Sequence, residues 1–358
     1  MKIEYNKDLT RLNTFGMKVF CACYVEFDSV GELAEIYKDS SDNRFPHPFF
    51  HMGGGSNLLF TKDFPGTVFH SSIKFTNASS RSGQTSESSG SVFCEVGSGV
   101  LWDDFCGWCS QHGLWGPENL SGIPGEVGAA AVQNIGAYGV EAKDIIKEVK
   151  CFDVVTGEEK TLSVKDCRYG YRDSVFKDVA KGRYIVTSVL FGLSEELAPR
   201  LEYGHVRNAV EEVVRSGPDR NLSPALVRKV ILDIRHAKLP DPAVIGSAGS
   251  FFKNPVVPKS SYEFVENYAK GKYGKDYSVP HFDAGSGFIK IPAAWLIEQC
   301  GWKGYREGNV GVYEKQPLVI VNITGQATPE EVAALEYKIV ISVQNRFGIT
   351  LIPEVEHV

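Results

Sequence analysis

The chain has 358 residues, room for two to three domains at roughly 150 residues each. Its 38 Lys plus Arg against 44 Asp plus Glu leave a formal charge of −6; with a pI near 5.8 it lacks the basic excess that neutralises phosphates, which excludes a general nucleic-acid binder. Hydrophobic residues at 43% and charged residues at 23% are globular values and exclude a disordered chain.

In chain order, VFCACYVEF (19–27) reads as a strand. SVGELAEIYKDS (29–40) reads as a helix with Ser29 at its N-cap, and FFHMGGGSN (49–57) as a strand entering a glycine turn. The Ser-rich stretch 76–91 reads as a solvated hairpin loop between FHSSIKF and SVFCEVG. Residues 101–113 are expected to be helical, and GEVGAAAVQNIG (125–136) a helix of small residues. EVKCFDVVTGEEKTLSV (148–164) reads as a hairpin turning at Thr156-Gly157, followed by the strand RYIVTSVLFGL (183–193). Ser223-Pro224 opens a helix, as does Thr328-Pro329-Glu330-Glu331, a capping box with Val332, Leu335, Ile339 and Val343 at helical spacing behind it. Gly348 should end that helix, with ITLIPEV as a short final strand. The pattern is α+β, built of several small layers and without a long βαβα series.

The start, MKIEYNKDLTRL, lacks the apolar core of a signal peptide, and no run of ~18 apolar residues occurs. Eight cysteines are scattered along the chain, so reduced thiols in a cytoplasm are expected. Cys106-x-x-Cys109 lies inside a helical run with no strand ahead of it, which favours core packing over redox chemistry. Cys21-x-Cys23 has strand spacing, and the eight histidines form no H-E-x-x-H or cluster, so no metal site is expected.

Glycine is in excess, 36 residues against a usual share of ~7%. Three clusters stand out: Gly53-Gly54-Gly55-Ser56-Asn57, Gly97-Ser98-Gly99, and Gly122-Ile123-Pro124-Gly125-Glu126-Val127-Gly128. Neither a dinucleotide G-x-G-x-x-G at Gly53 nor a P-loop is present, since Leu58 stands where the last glycine of the first would fall and no G-x-x-x-x-G-K-[ST] occurs. Each cluster alone reads more readily as a turn than as a ligand site. Three together, with one opening a helix, point to a large phosphate-bearing cofactor. Polar groups concentrate in Cys167–Ser174, in Gly249–Pro255 and at Glu354, each of which could equally be a surface loop, a cap or an exposed end.

Taken together, these segments resemble the UDP-N-acetylenolpyruvoylglucosamine reductase (UDP-N-acetylmuramate dehydrogenase) family of peptidoglycan precursor synthesis. The resemblance rests on Asn13-Thr14-Phe15-Gly16, GGGSNLLF (53–60), GSG (97–99), ENLSGIPGEVGAAAVQNIGAYG (118–139), YRDSVFK (171–177), KLPDP (238–242), GSFFKNP (249–255), AAWLIEQCGWKG (293–304) and PEV (353–355). Tyr203-Gly204 and the intact GSFFKNP resemble the longer, type I branch. The Ser-rich 76–91 segment is longer than the family pattern.

The resemblance implies a vanillyl-alcohol-oxidase-like flavin fold of three α+β subdomains. These would be 1–72 and 73–237, holding FAD, and 238–348, holding substrate, with 349–358 returning to the first. It implies non-covalent FAD on Gly53, Gly54, Gly55, Ser56, Asn57, Gly97, Gly99, Gly122, Ile123, Pro124, Gly125 and Gly128, and NADPH as reductant. It implies hydride transfer from flavin N5 to C3 of UDP-N-acetylglucosamine enolpyruvate and a proton to C2. Arg172 matches the family's cation for the substrate carboxylate, Glu354 the glutamate that polarises the same intermediate, and Ser250 the proton donor. Tyr171, Tyr203, Lys238, Asn254 and Gln316 match its substrate positions. A cytoplasmic monomer with no nucleic-acid or membrane partner is the accompanying expectation. The alternatives are a silent sugar-nucleotide or flavin-binding module, disfavoured because Arg172, Ser250 and Glu354 are all present, and an FAD oxidase acting on an alcohol.

Overall fold

The computed structural model describes residues 1–38, 44–80, 91–216 and 221–358. The chain is α+β and divides into two compact units. One comprises 1–7, 21–55 and 64–237, the other 8–20, 56–63 and 238–358.

The first unit is built on two larger sheets, with a short antiparallel pair, Gly136–Ala137 and Val140–Glu141, beside them. Strands Lys2–Asp8, Phe20–Phe27, Phe64–Ser71 and Phe49–Met52 lie side by side in that order, with the last three running parallel. Val25, Phe27 and Phe69 of these strands are all but inaccessible, and the helix Val30–Lys38 packs Leu33 and Ile36 into the same cluster. Ser29 caps that helix, accepting from the Glu32 amide at 3.3 Å.

The second sheet is antiparallel, in the order Glu158–Ser163, Ile146–Asp153, Tyr184–Ser194, Ser91–Gly97, Thr76–Ser80. Its central strand, Tyr184–Ser194, is buried without a break over 185–189, as where a strand is covered on both faces, and then alternates, burying Phe191 and Leu193. The helix Trp102–Gln111 lays Trp102, Phe105, Cys106 and Cys109 into the same core, with Phe105 and Phe191 stacked at 4.6 Å. Burying a ring such as Phe105 contributes about 1.5–3 kcal/mol. Cys106-x-x-Cys109 is therefore a helix face in the core, and burial pushes both thiols far above the ordinary range.

Three expectations change. Thr76–Ser80 is not loop but an edge strand paired with Ser91–Gly97, while 81–90 lie outside the described residues. The small-residue helix is only Val127–Gln133, because Asn134 turns left-handed at its C-cap. The final strand is Glu356–His357 and not ITLIPEV; it pairs in parallel with Leu58–Leu59.

The second unit is built on an antiparallel sheet ordered Gly246–Ser250, Val319–Asn322, Val310–Val312, Arg306–Glu307. The helix Pro329–Phe347 has the expected capping box at Thr328 and Glu331, buries Val332, Leu335, Ile339 and Val343, and stops at Gly348, whose φ is +67°. None of the described helices is long and apolar enough to cross a membrane.

Candidate active site

In the first unit the three glycine clusters come together. A Cβ on Gly53 would lie 3.0 Å from that of Ala129, and one on Gly54 would lie 3.3 Å from the Gly125 Cα. Gly128 packs on Ser98, where an added Cβ would approach to 2.8 Å. Gly55, Gly122 and Gly125 have φ of +62°, +71° and +112°, which side-chain-bearing residues avoid.

The clusters differ in what their amides do. Gly97 and Gly99 donate to Phe75 and Ile73, and Gly128 donates to Ser98, so these glycines serve close packing and have no N–H left for a ligand. The Gly122 amide is taken by Asp103, which Arg228 also grips at 2.8 Å. By contrast, Gly53, Gly54, Gly55, Ile123 and Gly125 donate to no acceptor among the described residues. Gly54 and Pro124 are exposed. Two turns of unspent amides lying against each other form a concavity suited to an anion. The seven-residue helix behind them adds little, so the turns carry this property.

Beside the turns, the His70 Nε2 lies 2.8 Å from the buried Glu126 carboxylate, with Glu26 3.6 Å from the other ring nitrogen. Burial works against charge on His70, but Glu126, with Glu26 behind it, outweighs burial and raises the imidazole pKa. His51, one strand away, is the opposite case: burial lowers its pKa to about 3, and the neutral ring meets the Tyr37 hydroxyl at 2.6 Å. Sequence reasoning missed the His70–Glu126 pair, since 56 positions separate its members.

Tyr171 and Arg172 form the tip of a tight turn closed by Gly170 and Asp173. Arg172 has φ +53°, and its guanidinium turns back to donate to the Gly136 carbonyl at 2.5 Å and, more weakly, to that of Asn134 at 3.4 Å. The guanidinium also lies 5.7 Å over the Tyr171 ring. Tyr203 is 42% exposed and packs edge-on to Tyr138.

In the second unit Ser250 ends the strand Gly246–Ser250, opposite Val319, after a register shift at which Gly249 adopts φ +69°. The Glu354 amide donates to the Phe251 carbonyl at 2.8 Å, and Phe252 bridges Pro353. Ser250 and Glu354, far apart in the chain, are thus carried by one short backbone bridge. Asn57 joins them, its side-chain Nδ2 donating to the Glu354 carbonyl at 3.1 Å. Gln316 sits in the turn that leads into the strand beside Ser250, its backbone carbonyl accepting from Val319. Asn254 caps the helix Ala293–Gln299 through Oδ1, at 2.9 Å from the Ala293 amide. Lys238 is exposed at the end of the helix Pro224–Lys238. No group of three or more metal-binding side chains occurs among the described residues.

Against known proteins, residues 21–163 match the FAD binding domain family. Residues 241–358 match the UDP-N-acetylenolpyruvoylglucosamine reductase C-terminal domain family. Proteins named UDP-N-acetylenolpyruvoylglucosamine reductase align over nearly the whole chain. The one from Bacteroides fragilis is 43% identical, covering 99% of this chain and 100% of its own. That of Chromobacterium violaceum is 42% identical over 99% and 98%, and that of Porphyromonas gingivalis 39% over 100% of each. The crystal structure of UDP-N-acetylenolpyruvylglucosamine reductase from Thermus caldophilus shares the fold, with a TM-score of 0.63 at 24% identity over 100% of this chain and 99% of that one.

Proposed function

The chain belongs to the UDP-N-acetylenolpyruvoylglucosamine reductase family, and we propose on that basis which of its residues carry the reaction and with what reductant. It is an FAD-dependent oxidoreductase that reduces UDP-N-acetylglucosamine enolpyruvate in peptidoglycan synthesis. The observation that carries the cofactor reading is the paired set of unspent amides at Gly53, Gly54, Gly55, Ile123 and Gly125. Backbone donors of this kind would hold the FAD diphosphate without a covalent bond. Gly97, Gly99 and Gly128 support the cradle by letting its walls pack closely. Ser56, Asn57, Gly122 and Pro124 complete the proposed surroundings. FAD held there would supply a two-electron carrier between NADPH and the vinyl carbon C3 of the substrate.

The chain's own side chains then manage charge and a proton. Hydride arriving at C3 leaves negative charge on C2 and the neighbouring carboxylate. Arg172 holds that carboxylate, because a guanidinium fork binds it in two places. Glu354 polarises the same centre, and Ser250 gives C2 its proton. An unassisted hydroxyl is a weak acid, so it serves only when placed against a strongly basic carbon. Tyr171, Tyr203, Lys238, Asn254 and Gln316 bind substrate, the last four on the sugar nucleotide and its diphosphate. Asn254 keeps its Nδ2 for this, its Oδ1 being spent on the helix cap. The subdomain division 1–72, 73–237 and 238–348, a monomeric state and a cytoplasmic location belong to the same proposal.

The test is product analysis. The flavin-loaded protein given NADPH and UDP-N-acetylglucosamine enolpyruvate is expected to yield a species heavier by two hydrogens, with an NMR-detected saturated C2. Substrate recovered unchanged while NADPH is oxidised would contradict the assignment.

A further inference from the structure

Asn134 is wholly buried, takes the left-handed conformation with φ +49° and engages both polar atoms of its side chain. Its Oδ1 accepts from the Lys143 amide at 3.0 Å. Its Nδ2 donates to the Gly170 carbonyl at 2.8 Å and to the Glu141 carboxylate at 3.1 Å. These partners are the two halves of one arrangement. Gly170 closes the turn that carries Arg172. Glu141 pairs with Gly136, whose carbonyl receives the Arg172 guanidinium. The side chain of Asn134 therefore ties the base of the arginine to the place where its tip docks, and its own carbonyl is the second, longer dock.

We propose that Asn134 is the positioning residue that fixes the Arg172 guanidinium for the enolpyruvyl carboxylate. The inference rests on the proposed role of Arg172. A neutral amide does this where a carboxylate could not, since Gly170 and Glu141 both present oxygen and need a donor. Asparagine also tolerates the left-handed backbone that ends the helix at Gln133. A guanidinium displaced by about 1 Å would lose roughly 10²-fold in the step it supports.

The experiment uses flavin-loaded protein and follows the two half-reactions anaerobically, flavin bleaching by NADPH and recovery of colour with UDP-N-acetylglucosamine enolpyruvate. Asn134→Gly keeps the backbone conformation and removes the ties. It should bleach within about threefold of the parent rate and recover at least about tenfold more slowly, on the order of the loss above. Arg172→Ala should slow recovery at least as much, and the double variant should be no slower than Arg172→Ala alone. Asn134→Asp, nearly the same shape, should recover slowly at neutral pH. Its rate relative to the parent should rise as pH falls and the new carboxyl becomes a donor. Equal slowing of both half-reactions, additive losses in the double variant, or loss of flavin from both Asn134 variants would overturn the positioning role. Normal recovery in Arg172→Ala would instead overturn the role of Arg172 itself.

Discussion

Ser250 follows a register shift, and among the described residues its hydroxyl makes no hydrogen bond. A serine that merely capped a turn would show its oxygen on a nearby amide, as Ser29 does at Glu32. Removing the Ser250 hydroxyl should therefore cost little stability and act on chemistry. For Ser250→Ala the expected result is normal bleaching by NADPH and recovery with enolpyruvyl substrate slowed by roughly 10²–10⁴. Stopped-flow absorbance on one anaerobic sample checks it, and equal rates for parent and variant in the second step would remove the proton-donor role. Arg172, Ser250 and Glu354 stand out in the sequence because each sits in a short, continuous motif. Asn134 was hidden, because the helix of small residues reads through to Gly136 and only the left-handed turn at Asn134 ends it at Gln133. His70 carries no signal either, because its partners Glu26 and Glu126 lie on other elements.

Among the elements, those whose stability is local were legible. The Thr328 capping box, the Ser29 cap and the hairpin turning at Gly157 all depend on neighbours a few positions away. Thr76–Ser80 was missed for the converse reason. It has no apolar alternation and becomes a strand only because Ser91–Gly97 offers it an edge. The link between strand Phe64–Ser71 and the Gly125 turn is His70 on Glu126. Its imidazole pKa is raised in the folded protein. Below the unfolded value of about 6.5 the protonated pair contributes in full. As pH climbs through the raised folded value the imidazole loses its proton and the contribution is lost. His70→Gln keeps a donor for Glu126 but no charge. The parent should exceed this variant by about 1–3 kcal/mol near pH 6, the gap narrowing toward pH 9, as read by denaturant unfolding of the flavin-loaded proteins. A gap that stays constant or widens would refute the charged pair.

For the molecule as a whole, the part hidden from sequence was long-range assembly. Residues 8–20 and 56–63 cluster with the C-terminal part of the chain through contacts such as Thr14 on Ser247 and Asn57 on Glu354. No periodicity announces a bond across 233 or 297 positions. The α+β class was legible, because caps, turns and changes of hydrophobic period mark it locally. As an assembled enzyme, the chain is held to pass electrons from a reduced nicotinamide to an enolpyruvyl ether through FAD. Flavin absorbance under nitrogen decides this, read first with one equivalent of NADPH and then with UDP-N-acetylglucosamine enolpyruvate. Bleaching by the first and full recovery of colour by the second, within a single turnover, are the expected results. Colour that stays bleached until oxygen is admitted would mark an oxidase and contradict that route.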